Sequence, residues 1–520
     1  MNMYSKFKSF FIIFLSVAMF TSCESELELS PEDDRKGADE IFQEEEAYKQ
    51  FLAKLYAGLA ISGQEGPAGN ADLSGLDEGF SQYLRLYWML QELPTDEAII
   101  SWNDGTIADL HGQNWTSGNE FIRTMYSRIM YQVAQTNAFL RQTEGIESEE
   151  IQNFRAEARF LRALSYYHAL DLFGNPPKIS ESDPVGAFLP PQYTRAELFQ
   201  FLESELLAIE SEIVAAGENE YGRADQAAVW FLLSKLYLNA EVYTGTDRYS
   251  DVITYTEKII GSGFSLVNDY QKLFLADNDK NGAQEEIIFP IRFDGINTIS
   301  YGGMTFIMNA ALSGPLADIY GVPEGGWSGL RTTPEFVSLF PNGADSADER
   351  EMFYTEGHTL EIGSVSVFTN GYLITKYKNL DSNGNPGQDE LFPDTDFPLF
   401  RLADVYLMYA EAVIRGDGGS DALALSYINE LRDRAYETGG TISANDLTLD
   451  FILAERGREL YWEAHRRTDL IRFGSFTTQG IWAWKGNVPQ GATTAGFRDI
   501  YPIPASDLGV NTNLTQNPGY

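Results

Sequence analysis

Segments with the period of an amphipathic α-helix follow one another in pairs along this chain, and they restrict it to a helical fold. Apolar residues in 151–172 recur at intervals of three, four or seven, and the pattern stops before the helix-breaking Pro176 and Pro177. The next segment, which runs to residue 216, begins with Thr194 and Glu197, whose spacing is that of a capping box. Because the connections are short, neighbouring helices are expected to pack as antiparallel hairpins.

Alanine and aromatic residues occupy the positions where such hairpins pack closely, which is typical of tetratricopeptide-like repeats. The sequence has no strict repeat of about 34 residues, so this prediction rests on the helical pattern alone. We predict a mainly α fold, a superhelix of tetratricopeptide-like helical hairpins. The other predicted helical segments are 223–243, 249–261, 402–415, 421–436 and 448–473.

Residues 262–399 differ from the helical segments because they are rich in Gly, Pro, Asn and Asp and contain short β-like runs. A linker would have few aromatic residues, whereas this region has many. Long ordered loops on a rigid scaffold commonly carry binding function. We therefore predict helical repeats over about 39–261 and 400–475, an embedded loop-rich binding region over about 262–399, and a contribution to the site from 63–115.

The amino-terminal residues have the pattern of a secretion signal. Lys6 and Lys8 precede the apolar run 9–20, which is shorter than the roughly 20 residues that a membrane-spanning helix needs. Small residues then lead to Cys23, the single cysteine of the chain, as in lipoproteins whose new amino-terminal cysteine is acylated. The alternative is a secreted protein with an unpaired thiol, which is unusual. We predict that residues 1–22 are a signal peptide and that Cys23 carries a lipid anchor.

The composition excludes several classes of partner and cofactor. The formal net charge is −39, with 76 acidic and 37 basic residues, so the chain lacks the basic stripe that nucleic acid requires. A neutral or cationic ligand is expected instead. One cysteine and four scattered histidines indicate neither a disulfide nor a zinc site. The acidic stretch 23–38 is predicted to be a solvated tether.

Six segments of the chain carry a resemblance to a known family. The residues are LQELPTDEA (90–98), RAEARFLRALSYYHALDLFGNPP (155–177), ITKYKN (374–379), FPLFRLADVYLMYAEA (397–412), LAERGRELYWEAHRRTDLIRFG (453–474) and YPIPASDLGVNTNLTQNPGY (501–520). In type and order they resemble the hallmark segments of the SusD/RagB lipoproteins, and the resemblance extends from Cys23 to Tyr520.

The resemblance implies a lipid-anchored protein on the outer-membrane surface of Bacteroidetes that captures a nutrient glycan and is not an enzyme. It also implies that the glycan passes to a SusC-like TonB-dependent outer-membrane transporter, on which such proteins sit as a lid. Glu24 and Glu26 resemble the acidic surface-export signal of these lipoproteins. One SusD-like domain over 39–520, with four tetratricopeptide-like hairpins, is implied in place of several separate domains.

A ligand site is predicted within 72–115 from the chemistry of sugars. Sugar rings have apolar C–H faces that pack on aromatic rings. Their hydroxyl groups need planar polar side chains that can make two hydrogen bonds. Arg85 can donate to a pair of vicinal hydroxyls while Asp77 accepts from them. Trp102 is in a predicted loop and is expected to face the ligand, whereas Trp88 continues an apolar helix and is assigned to the core.

The starch-binding prototype of the family has an aspartate, an arginine eight residues later and a tryptophan seventeen residues beyond it, and this chain has the same spacing. A second tryptophan of the prototype corresponds to Ile100 and an asparagine corresponds to Gly105, so Asn103 is predicted to replace the lost amide. The prototype completes its aromatic arc from a later loop, for which Tyr301 and Trp327 are the candidates. An α-glucan is therefore the first expected ligand, followed by fructan or another neutral polysaccharide.

One segment resembles the first half of a calcium-binding loop. Asp277, Asp279 and Asn281 place oxygen ligands at alternate positions before the turn residue Gly282. The bidentate glutamate of such a loop is replaced by Ile288. The resemblance implies calcium near this position, and an unfilled Asx-rich turn is the alternative. No cofactor is required by the predicted function.

Two other classes of function compete with glycan capture. A glycoside hydrolase would need two carboxylates about 5–9.5 Å apart, for which Asp77 and Asp104 are the only pair within the aromatic segment. A protein-binding repeat scaffold would use concave helical surfaces. The aromatic loops favour capture of a small ligand over both alternatives.

Overall fold

The structure is a computed structural model that describes residues 42, 45–186, 188–416 and 418–520. Cys23, the predicted signal peptide 1–22 and the predicted tether 23–38 lie outside the described residues. The chain divides into two units, Met1–Phe51 and Leu52–Tyr520. In the first unit, Phe42 stacks on Tyr48 with ring centroids 5.2 Å apart. The second unit contains the helical repeats and the loop-rich region.

The α-helices of the described residues agree in type with the predicted pattern. They are α1 (Glu45–Ala57), α2 (Tyr83–Glu92), α3 (Ala108–His111), α4 (Glu120–Gln142), α5 (Glu149–Leu172), α6 (Arg195–Ile209), α7 (Gln226–Leu238), α8 (Ala240–Thr244), α9 (Tyr249–Ile260), α10 (Gly303–Ala311), α11 (Gly314–Ala317), α12 (Pro334–Val337), α13 (Leu402–Arg415), α14 (Asp421–Ala435), α15 (Leu449–Leu460), α16 (Arg466–Arg472) and α17 (Ala505–Val510).

The strands are short and form three antiparallel pairs, each of two strands. They are β1 (Ile99–Ile100), β2 (Ile287–Ile291), β3 (Leu330–Arg331), β4 (Phe353–Tyr354), β5 (Leu373–Ile374) and β6 (Phe397–Arg401). Strand β1 pairs with β3, β2 with β6 and β4 with β5. Most of them lie within residues 262–399, where the sequence has its short β-like runs.

Helices joined by short connections pack against each other, as predicted, and α13 also packs against the distant α9. Helix α4 contacts α5, α5 contacts α6, α7 contacts α9, and α13 contacts both α9 and α14. The capping box at the start of α6 is present, because Thr194 accepts from the Glu197 N–H and Glu197 accepts from the Thr194 N–H at 2.8 Å. The predicted alanines at the close contacts have no exposed surface: Ala156, Ala163, Ala227, Ala228, Ala410 and Ala412. The prediction of a mainly α fold is confirmed.

The predicted helix 448–473 is wrong in one respect, because α15 and α16 are separated by a buried break. Trp462 and Ala464 have φ angles of 60° and 63°, which no α-helix contains. Two buried carboxylates hold this conformation: Glu97 accepts from the Trp462 N–H at 2.9 Å, and Glu92 accepts from the His465 N–H at 3.2 Å. The tertiary contacts therefore replace the helical hydrogen bonds of this turn.

A second predicted helix, 223–243, is also divided. The structure has α7 and α8 on either side of Asn239, whose φ and ψ of −99° and 8° leave the helical region. The Asn239 side chain donates to the Lys235 carbonyl at 2.9 Å and accepts from Arg472 at 2.9 Å. A side chain that bonds the preceding turn in this way competes with continuation of the helix.

Candidate functional site

A cavity of about 350 Å³ brings together five of the six residues predicted to bind ligand. Asp77, Arg85, Trp102, Tyr301 and Trp327 line it, although they come from three separate parts of the sequence. The sixth, Asn103, is exposed next to Trp102 and is not among the lining residues. Seven of the lining residues were not singled out as ligand-binding from the sequence: Gly79, Phe80, Asp104, Gly105, Ile107, Glu120 and Phe121.

Trp102 is positioned by the pairing of β1 with β3. Immediately after β1, the Ser101 N–H donates to the Gly329 carbonyl at 2.9 Å, which brings Trp102 across the chain that precedes β3. A Cβ atom at Gly329 would lie 2.6 Å from the indole ring, closer than any real contact. Only glycine at this position leaves room for the ring, and Trp102 is consequently half-buried with one side toward the cavity.

Three aromatic rings form a curved wall. The ring centroids of Trp102 and Trp327 are 6.5 Å apart at an interplanar angle of 42°, and those of Trp327 and Tyr301 are 6.2 Å apart at 62°. Phe306 on α10 packs against this wall. Its ring is edge-on to that of Trp102, and the two ring centroids are 5.9 Å apart. Because successive rings are tilted, the wall follows a bent surface.

Arg85 lies next to this wall, and its side chain is held by contacts within the protein. Its Nη1 donates to the Gly79 carbonyl at 2.9 Å and to the Tyr301 carbonyl at 3.1 Å, and its guanidinium carbon is 4.1 Å from the Phe306 ring centroid. The side chain therefore also fixes the backbone of Tyr301. One guanidinium nitrogen of Arg85 thus already bonds the backbone, and donation by Arg85 to a pair of sugar hydroxyls stays a prediction.

The positive charge of Arg85 is only partly compensated by the carboxylates near it. Burial lowers the pKa of Arg85 to about 9, and Asp77 and Asp104 oppose this shift. Within the described part of the chain, Arg85 makes no ion pair with either carboxylate. Its Nε is buried and has no hydrogen-bond partner. Asp77 is exposed, and one of its oxygens accepts from the Gly79 N–H at 2.8 Å. A cationic donor and carboxylate acceptors are thus held apart within one cavity.

The assignment of Trp88 to the core is confirmed. Its side chain has no exposed surface. The ring is edge-on to Trp462 at 5.2 Å and to Phe306 at 5.9 Å, and its N–H donates to the Trp462 carbonyl at 3.0 Å. Trp88 therefore supports Phe306 and does not reach the cavity.

The three residues of the calcium hypothesis are engaged in the contacts of a turn. Asp277 accepts from the Ser382 N–H at 3.1 Å and from the Asn281 amide at 3.0 Å. Asp279 is 3.3 Å from Lys280. The described residues include no group of three or more Asp, Glu, His or Cys side chains arranged to hold a metal ion. These contacts are those of an Asx-rich turn, and calcium at Asp277, Asp279 and Asn281 stays a prediction.

One acidic residue near this turn was not singled out from the sequence. Asp396 is 2 % exposed, and one of its oxygens has no hydrogen-bond partner. Burial, with a smaller effect of the neighbouring charge of Asp279, raises the pKa of Asp396 to about 7, although the Phe293 N–H and Arg292 act to lower it. Residue 396 is far from 279 in sequence and has no spacing signal, so only the fold reveals the proximity.

Two family models match the chain. Residues 363–520 match the model described as the SusD family, and residues 87–238 match one described as "Starch-binding associating with outer membrane". The chain is 36% identical to the starch-binding protein SusD of Bacteroides thetaiotaomicron over 96% of each chain. It is 24% identical to a SusD-like protein of Bacteroides ovatus over 76% of this chain and 79% of that protein.

Solved structures share the fold at lower identity. A SusD superfamily protein of Parabacteroides distasonis has a TM-score of 0.72 and 22% identity, over 92% of this chain and 99% of that chain. Surface glycan-binding protein A of B. thetaiotaomicron, solved in complex with laminarihexaose, has a TM-score of 0.68 and 19% identity, over 91% and 99% of the two chains. These similarities establish the helical architecture of the described residues.

Proposed function

The chain belongs to the SusD family, and from this membership we propose that it is a cell-surface lipoprotein that binds a neutral glycan without hydrolysing it. The observation that carries the proposal is the cavity in which Trp102, Trp327 and Tyr301 form a curved wall over the buried cation Arg85. A scaffold that bound only proteins would not need aromatic rings collected in this way.

The chemistry of the cavity matches the two surfaces of a sugar ring. The aromatic rings of the wall can pack on the apolar C–H face of the sugar. Arg85 supplies a hydrogen-bond donor and Asp77 an acceptor for its hydroxyl groups. Three carboxylates, Asp77, Asp104 and Glu120, line the cavity against one arginine. An anionic glycan would meet like charges there, which favours a neutral one. An α-glucan is the first candidate, because the chain is 36% identical to a starch-binding protein over 96% of its length.

The domain organisation and the partner form part of the same proposal. The single SusD-like domain over 39–520 would hand the captured glycan to a SusC-like TonB-dependent outer-membrane transporter. No α-helix among the described residues has the length and apolarity that crossing a membrane requires. Attachment to the outer membrane is assigned to an acylated Cys23.

Affinity electrophoresis against soluble starch, inulin and pectin tests the binding function. We expect starch to retard the protein, inulin to retard it less, and the anionic pectin to have no effect. Reducing sugars should not appear during incubation with the retarding glycan. Release of reducing sugar that is lost in Asp77→Asn or Asp104→Asn would contradict the non-catalytic function, and failure of every neutral polysaccharide to bind would contradict glycan capture.

The anchor is tested by detergent partition of the protein expressed with its full amino terminus. Cys23→Ala should move the protein from the Triton X-114 phase to the aqueous phase, because acyl chains on the cysteine supply the membrane affinity. Ser22→Ala, which keeps the cysteine and a small residue before it, is the matched control and should stay in the detergent phase. If Cys23→Ala also stayed there, the anchor would be elsewhere.

A further inference from the structure

Phe392 extends the aromatic wall of the cavity by one more ring. We propose that it is a further sugar-binding residue of this site, so that the protein binds chains longer than the cavity alone can hold. The inference rests on the proposed glycan-binding function and adds a length preference to it. Neither the spacing of residues 77–102 nor the resemblance pointed to this phenylalanine.

The position of the ring continues the existing wall. The centroids of Phe392 and Tyr301 are 5.8 Å apart at an interplanar angle of 44°, close to the separations and tilts within the wall itself. Phe392 is half-buried and packs on Tyr301 without lining the cavity itself, so it lies next to Tyr301 outside the cavity. The order along the wall is thus Trp102, Trp327, Tyr301 and Phe392.

The loop that carries Phe392 is held in place by its own carboxylates. One oxygen of Asp389 accepts from the N–H groups of Leu391 and Phe392, at 2.8 and 2.9 Å. Asp394 accepts from the Gly295 N–H at 2.8 Å, which ties the loop to a neighbouring segment. A ring on a fixed loop loses little conformational entropy when it contacts a ligand, which favours a binding role.

Asn309 connects this loop to the loop of Trp327, and we assign it as a positioning residue. It is fully buried at the end of α10. Its backbone carbonyl accepts from the Trp327 N–H at 2.8 Å, while its side-chain amide donates to the Leu391 carbonyl at 3.1 Å. The Glu324 N–H also donates to the Glu390 carbonyl at 3.1 Å. The separation between Trp327 and Phe392 is fixed by these bonds.

The surroundings of Phe392 leave apolar surface open to solvent. Gly295 lies so close that a Cβ there would be 2.5 Å from the Phe392 carbonyl oxygen. The next residue, Ile296, is 55% exposed. Phe392 itself keeps part of its surface in solvent, and a partly exposed ring is suited to stacking on a sugar.

Isothermal titration with maltotriose and maltoheptaose tests the length preference. Phe392→Ala should weaken maltoheptaose about three- to tenfold, which corresponds to one stacked ring, and leave maltotriose within about twofold. Phe368→Ala is the matched control, because Phe368 is also a half-buried loop phenylalanine but contacts His358, away from the cavity. It should change neither affinity.

The positioning role of Asn309 is tested by a double-mutant cycle. Asn309→Ala removes the bond to Leu391 and leaves the backbone bond to Trp327, so it should weaken maltoheptaose and spare maltotriose. Combined with Phe392→Ala it should add nothing, because both changes act through the same ring. Additive losses would show that Asn309 supports the fold generally, and would overturn its role.

The outcomes separate this inference from the proposed function. If Phe392→Ala bound both oligosaccharides as the parent does, or weakened both equally, the extension of the wall would be wrong while the cavity could still bind. If Trp102→Ala bound both as the parent does, the cavity itself would be wrong, and the inference would fall with it.

Discussion

Trp102→Ala is expected to lose measurable glycan binding in calorimetry while the protein remains folded. The indole forms one end of the curved wall, and its removal deletes both a stacking surface and the neighbour of Trp327. Stacking contributes about 1 kcal/mol or more, and truncation of an aromatic residue that dominates an interface costs about 2 kcal/mol or more. Binding proteins that release their ligand to a transporter need only micromolar to millimolar affinity, about −8 to −4 kcal/mol, so this loss brings the complex below detection.

A second tryptophan provides the control for this result. Trp230 on α7 is also half-buried and has one hydrogen bond, from its N–H to Glu210 at 2.7 Å, but it is not among the residues lining the cavity. Trp230→Ala should therefore bind glycan as the parent does. Wild-type affinity in Trp102→Ala would show that the ligand site lies elsewhere, even though the family assignment would stand.

Arg85→Ala is not an equivalent test, because the structure gives this residue two roles. The side chain holds the Tyr301 backbone and lies over Phe306, so its removal changes the wall as well as the donor. The sequence indicates a polar ligand contact here but contains no sign of the second role. That role arises from residues more than two hundred positions away.

The residues of the cavity divide into those that local sequence could predict and those that it could not. Asp77, Arg85 and Trp102 have a spacing within one short segment, and Tyr301 and Trp327 follow from the family resemblance. Glu120, at the start of α4, has neither kind of signal although it is close in sequence, and Phe392 has none because it contacts Tyr301 from a distant loop. The sequence also could not reveal that Asn103, next to a lining residue, is outside the cavity wall.

The helical elements show the same division. Their periodicity predicts where α13 and α14 begin, because that pattern is local to each helix. The break between α15 and α16 depends on Glu92 and Glu97, which are over 350 residues away in sequence. The helical pattern of residues 448–473 contains no information about these two distant carboxylates. The sequence therefore predicts one helix where the structure has two.

The charged residues of 453–474 form a buried network, and its partners are mostly distant in sequence. Glu459 has no exposed surface and contacts three arginines: Arg350 at 2.9 Å, Arg401 at 2.6 Å, and Arg434. Arg458 with Glu455 is an ion pair within α15 itself. The other contacts of Glu459 join α15 to β6, α14 and the loop before β4. His465 is buried beside this network, and burial lowers its pKa.

Glu459→Gln is expected to destabilise the protein by about 1.5–3 kcal/mol at pH 7, the usual contribution of a hydrogen bond to a charged group, because each of its arginine partners keeps another carboxylate. The substitution keeps the shape of the side chain and removes its charge, so three buried guanidinium groups lose a shared counterion. Chemical denaturation measures the loss. Glu257→Gln, an exposed glutamate on α9, is the matched control and should change stability by less than about 0.5 kcal/mol.

The dependence on pH gives this last prediction a second test. Burial alone would raise the pKa of Glu459, but Arg434, Arg401 and Arg350 hold it well below its ordinary value. A carboxylate with a lowered folded pKa stabilises the protein above its unfolded pKa of about 4.3, and this contribution is lost as the pH falls. The difference in unfolding free energy between parent and Glu459→Gln should therefore be largest near neutral pH and should shrink below about pH 4. A difference that stayed constant down to low pH would show that packing, and not charge, explains the role of Glu459.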